Sequence, residues 1–106
     1  MINERVREQL QQVGERINTI DKIILFGSRA IGDHEEKSDI DLAFVAPKMT
    51  QEEWTELTFV LKEELDTLLF LDLIKHEEAS KELKNEIITY GEIIYAADSS
   101  YKRKTS

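Results

Sequence analysis

Three aspartates and one Gly-Ser turn are the residues of this sequence whose types and spacing could do chemistry. Asp39 and Asp41 flank Ile40. In a strand, residues two apart point to the same side of the sheet, so both carboxylates would project together. Neighbouring carboxylates repel and lose hydration if buried, and a divalent cation relieves both costs. Magnesium takes oxygen ligands, typically one or two carboxylates completed by phosphates and water. The competing reading is a strand edge carrying two solvated aspartates, although Asp is depleted in strands. Asp72 interrupts the apolar run Leu68–Ile74. Such a run is expected to be buried, and a carboxylate there is costly unless it is paired or metal-bound. A salt bridge to Lys75 is the alternative partner. Gly27-Ser28-Arg29 comes after another apolar run. Glycine allows close backbone approach to a ligand, and amides after such a turn can bind an anion. By itself a Gly-Ser pair after a strand is ordinarily just a turn. Together, these parts make a site in which Asp39 and Asp41 bridge two metals about 3.5–4 Å apart. Asp72 completes the second metal and acts as general base if it lies within hydrogen-bond reach.

The elements that must position these groups can be read from apolar spacing. Ile2, Val6, Leu10, Val13 and Ile17 form one face of an amphipathic helix, with Gly14 a weak point inside it. Lys22–Phe26 reads as a buried strand ending at Gly27. Residues 28–38 read as a polar loop with room for one helical turn. Asp39–Ala46 reads as a second strand, stopped by Pro47. Thr50 is an expected N-cap, with Glu53 as its capping-box partner. Trp54, Leu57, Leu61 and Leu65 form the inner face of the helix that this cap begins. Leu68–Ile74 is a third strand. Glu77–Tyr90 is a helix with Leu83, Ile87 and Tyr90 inward, closed by Gly91 at C′. Glu92–Tyr95 is a last strand. The expected fold is therefore α/β, a mixed sheet of about four strands covered by helices in the order α-β-β-α-β-α-β.

Length and charge bound the function. At 106 residues the chain fits one domain, residues 1–96, with a polar, flexible tail, residues 97–106. The absence of cysteine excludes disulfides, thiolate zinc sites and cysteine nucleophiles. The N-terminus has no apolar stretch of the signal-peptide kind, and no run approaches a membrane span, so a cytoplasmic protein with no membrane association is expected. A net charge of −8 disfavours direct nucleic-acid binding, and phosphate ligands would need metal ions or backbone amides. His34, His76 and the Lys102–Lys104 cluster read as surface. Trp54 reads as core or interface, and Tyr95 reads as core. The face carrying Trp54, Thr58 and Leu61 is a candidate partner surface not separable from core.

Gly27-Ser28, ten intervening residues and Asp39-Ile40-Asp41 resemble the nucleotidyltransferase superfamily related to DNA polymerase beta. The longer string GSRAIGDHEEKSDIDLAF is similar to its minimal nucleotidyltransferase (MNT) branch. The resemblance runs from about Lys22 to Tyr95 and includes Ser38 and the later strand aspartate, Asp72. It implies that Gly27 and Ser28 grip the β- and γ-phosphates, and that Asp39, Asp41 and Asp72 hold magnesium, two ions in all. Ser38, and more weakly Arg29 and Lys37, become candidate phosphate contacts, with a solvated surface position the alternative for Arg29 and Lys37. The family also implies a role. Its members transfer AMP from ATP to a tyrosine of a HEPN ribonuclease toxin and so act as antitoxins. The expected partners are a nucleoside triphosphate and a HEPN-type protein, in a homo- or hetero-oligomer. The chain reads as ending soon after its last strand, so the acceptor is expected from another molecule. A binding antitoxin that neutralises by occlusion is the alternative. A small-molecule nucleotidyltransferase ranks below both, because the usual acceptor domain is missing.

Overall fold

The computed structural model describes residues 2–32 and 39–97. Helix α1 (Glu4–Arg16) is capped by Asn3, whose side chain accepts from the Val6 amide at 2.8 Å. Strand β1 (Lys22–Phe26) runs into the short helix α2 (Ser28–Ile31), the helical turn for which the loop had room. Strand β2 (Ile40–Val45) leads to α3 (Gln51–Glu64). Strand β3 (Leu71–Lys75), a 3-10 turn (His76–Glu78), α4 (Lys81–Tyr90) and β4 (Glu92–Ala96) complete the described chain.

The four strands form one mixed sheet in the order β3-β2-β1-β4. β1 is antiparallel to β2 and β4, while β2 and β3 are parallel, joined through α3. Parallel neighbours need such a crossover. Apart from the short α2, the expected element order and the sheet type are those observed.

Alternation divides the sheet into two faces. Ile23, Leu25, Ile40, Leu42 and Phe44 join residues of α1 and α3 in the larger core. Ile24, Phe26, Ala43 and Ile87 of α4 form a smaller one. Trp54 is core, with its ring edge-on to Phe44 at 5.6 Å. Leu61 is also buried, so the face carrying Trp54, Thr58 and Leu61 is turned inward and is not a free partner surface. The Thr50–Glu53 capping box closes in both directions, at 2.8 and 3.1 Å.

Several expectations need correction. β3 starts at Leu71, not Leu68, and both Leu68 and Phe70 are exposed. The apolar run mixes a connecting segment with an edge strand, and an edge strand is covered less than a central one. The fourth helix does not run from Glu77. Ser80 accepts from the Leu83 amide and starts α4 at Lys81, after a separate 3-10 turn. Such side-chain capping competes with continuation of a helix. Tyr90 faces outward rather than into the core.

Gly91 has φ −70°, so it lacks the left-handed conformation expected of a C′ glycine. A side chain there would collide with the Ile87 carbonyl oxygen and the Ile24 side chain. Gly14 is explained in the same way, since a Cβ would strike the ring of buried Tyr95.

Candidate active site

The site forms on the α4 side of the sheet, at the end of β2. Ile40 is buried in the large core, which turns its neighbours Asp39 and Asp41 to the opposite side. Asp39 lies just before the strand and is exposed, and Asp41 is half-buried. Parallel register sets Asp72 directly beside Asp41. Antiparallel register sets Phe26 on its other flank, so Gly27 comes next at the same level.

Asp72 is exposed, contrary to the expectation that its strand is buried on both sides. Burial therefore does not force it into a pair. Nor does Lys75 neutralise it. The Lys75 ammonium donates to the Met49 carbonyl oxygen at 3.1 Å. What constrains Asp72 is Asp41. The β2–β3 register sets the two carboxyl-bearing side chains next to each other. Burial first, and then the charge of Asp72, push the Asp41 carboxyl up to about 6, with smaller contributions from Asp39 and Glu86. A carboxylate held this far above its ordinary value is poised for a cation or a proton. Among the described residues, no group of three or more His, Cys, Asp or Glu side chains converges as a metal cluster. Asp41 and Asp72 are adjacent, and Asp39 stands one position outside the strand.

The Gly-Ser turn is built against this pair. Gly27 has φ +75° and ψ −157°, a conformation essentially confined to glycine. A Cβ at Gly27 would also overlap a carboxylate oxygen of Asp41. Two independent constraints thus demand glycine, and one of them is contact with the candidate catalytic carboxylate. Ser28 begins α2. Arg29 is 7 % exposed and engaged within the chain, so the solvated-surface alternative for it does not hold. Lys37, Ser38 and His34 lie outside the described residues.

A cleft of about 280 Å³ opens beside the turn, lined by Gly27, Ser28, Ile31, Glu86 and Tyr90. Sequence reasoning missed the contribution of α4. The available signal was the spacing of Glu86 and Tyr90, four residues apart and therefore on one helix face.

A family model described as Polymerase beta, Nucleotidyltransferase matches residues 8–100. Comparison with curated proteins found no match. Among solved structures, the chain resembles one from a toxin–antitoxin crystal structure with AMP-PNP, at 27% identity and TM-score 0.68. The likeness covers 96% of this chain and 80% of that one. A tyrosine-substituted form of the toxin–antitoxin pair MntA–HpeT gives 26% identity and TM-score 0.68, over 97% and 80% of the two chains. A structure of a tri-AMPylated Shewanella oneidensis HEPN toxin in complex with its MNT antitoxin gives 23% and 0.64, over 92% and 76%. At that identity the last likeness speaks for the fold.

Proposed function

The chain belongs to the polymerase beta nucleotidyltransferase family, and from that premise we propose that it transfers AMP from ATP to a tyrosine hydroxyl of a HEPN ribonuclease toxin and thereby acts as its antitoxin. Nucleotidyl transfer takes a nucleoside triphosphate as substrate and implies a divalent metal. The observation that carries the reading is the contact of Gly27 with Asp41 beside its strand partner Asp72. It joins a phosphate-gripping turn to a carboxylate pair. The structural likeness to toxin–antitoxin chains, one of them with AMP-PNP, supports the choice of substrate and partner.

Asp39, Asp41 and Asp72 would hold magnesium, two ions in our reading, and the donor set fits it. All donors are carboxylate oxygens, and burial first, then the charge of Asp72, raise the Asp41 carboxyl, two costs that a bound cation relieves. Bound there, magnesium would neutralise charge on the triphosphate and acidify the attacking hydroxyl. The chain's own groups do the rest. The Gly27-Ser28 amides and the Ser28 hydroxyl hold the β- and γ-phosphates. The acceptor oxygen attacks the α-phosphorus, the bond to the β-phosphate oxygen breaks, and pyrophosphate leaves. The proton passes from the acceptor hydroxyl to Asp72, whose exposure leaves an oxygen open to it. Ser38, Lys37 and Arg29 are further phosphate contacts, proposed on the family resemblance.

The test is transfer from α-labelled ATP, with magnesium, to the product of the neighbouring gene, expected to be the HEPN protein. Label should appear on that protein with the wild type. Asp39→Asn and Asp41→Asn should lower transfer roughly 100-fold or more, because each removes charge stabilisation worth several kcal/mol. Full turnover by either variant sinks the assignment. Suppression of the toxin by both unlabelling variants at equal concentration would favour occlusion instead.

A further inference from the structure

Glu86 and Tyr90 lie on one face of α4 and line the cleft opposite Ser28 and Ile31. The proposed chemistry uses none of the three residues Glu86, Tyr90 and Ile31. Tyr90 and Ile31 are 60% and 57% exposed, which leaves a large aromatic and a large aliphatic side chain open at the mouth of a polar site. Each helix supplies a polar residue and, about one turn further on, an apolar one: Ser28 then Ile31, Glu86 then Tyr90. The cleft adjoins the aspartates, since Gly27 lines it and packs against the Asp41 carboxylate.

We propose that this cleft binds the nucleoside part of the triphosphate, with Glu86 accepting hydrogen bonds from the ribose hydroxyls and Tyr90 stacking on the base against Ile31. The inference rests on the nucleotidyltransferase reading and deepens it. Three features select the occupant. A carboxylate accepts hydrogen bonds and repels phosphate, so the group facing Glu86 carries O–H or N–H donors. In a nucleoside triphosphate, the ribose is attached through the α-phosphate to the β- and γ-phosphates that Gly27-Ser28 hold, so it lies within reach of the same cleft. An aromatic face beside an aliphatic wall suits a flat base. The size agrees. At about 280 Å³ the cleft falls just below the range of roughly 300–1,000 Å³ typical of whole-ligand pockets, as fits a site that takes part of a nucleotide rather than the whole. Stacking on one tyrosine tolerates any base, so preference among bases is expected to be shallow while preference for a ribose is marked.

Calorimetric binding of ATP, 2′,3′-dideoxy-ATP and inorganic tripolyphosphate, each with magnesium, tests this on the full chain. Glu86 and Tyr90 are surface positions of a helix whose packing depends on Ile87, so Glu86→Ala and Tyr90→Ala should both fold. Tyr90→Ala should weaken ATP on the order of tenfold while leaving tripolyphosphate unchanged, and Tyr90→Phe should restore ATP. Glu86→Ala should abolish the wild-type preference for ATP over the dideoxy nucleotide. Unchanged ATP affinity in both alanine variants overturns the proposal and leaves the catalytic reading standing. A Glu86→Ala protein that still prefers ATP over the dideoxy form overturns the ribose assignment. If the wild type binds neither ATP nor tripolyphosphate, the underlying nucleotidyltransferase reading fails, and this one with it.

Discussion

Asp41 is the residue on which stability and chemistry oppose each other. Its carboxyl is pushed up to about 6 from an ordinary value near 3.8, chiefly by burial and then by Asp72. A group whose folded pKa is raised binds its proton more tightly in the folded state. Stability is therefore lost as pH rises from about 4 to 6, and the full penalty stands above that window. Asp41→Asn removes the charge and keeps the shape. In metal-free buffer at pH 7.5 the variant should melt a few degrees above the wild type. The gap should close on acidification through pH 6 towards 4. Magnesium should raise the wild-type Tm and leave the variant's unchanged, which separates relief of repulsion from a general salt effect. Equal melting temperatures at pH 7.5 would mean that solvent already screens the pair. Gly27 makes the opposite case. Gly27→Ala meets a forbidden backbone conformation and the Asp41 carboxylate at once. It should cost stability and nucleotide affinity together, read by thermal melting and ATP titration, whereas Gly32→Ala should cost stability alone, since among the described residues nothing lies within 4 Å of a Cβ there.

At the scale of elements, helix α3 packs on the face of the sheet away from the aspartates. Its N-terminus rests on the reciprocal bonds of Thr50 and Glu53. Thr50→Ala removes one of them and should cost about 1 kcal/mol, a fall in Tm of roughly 4–8 °C for a domain of this size. ATP affinity should not change. Parallel loss of affinity in denaturation and binding experiments would show that the two faces are coupled. This helix was legible because its signals are local: a cap, a capping-box partner three residues on, and leucines at helical spacing. The paired aspartates and the Gly-Ser turn were legible for the same reason. The hidden features depend on neighbours distant in sequence. No local pattern says that β3 lies at the sheet edge, so Leu68–Ile74 suggested full burial and a desolvation that Asp72 does not suffer. The actual constraint on Asp72, the carboxyl of Asp41, exists only once β2 and β3 are in register. Gly14 is a liability to a helix until the ring of Tyr95 is laid against it.

Across the whole molecule, the two cores are unequal, and the inequality places the site. The larger core lies under α1 and α3, and among the described residues α4 covers the other face, where Ile87 meets Ile24, Phe26 and Ala43. At the sheet end beyond that small core Asp41 is half-buried and Asp72 exposed, as the proposed access of substrate requires. The chain that carries this site has a net charge of −8. Such a surface repels RNA, while a ribonuclease that grips phosphates must present a basic one. Opposite fields steer encounter, and salt screens them over about 8–10 Å at physiological ionic strength. Association with the proposed toxin should therefore be fast in dilute buffer and slow steeply with added salt, while dissociation changes little. Stopped-flow association between about 20 and 500 mM salt would reveal this slope. A rate constant indifferent to salt would show that encounter depends on contact surfaces alone, and that the acidic charge serves to keep the triphosphate site free of RNA rather than to find the partner.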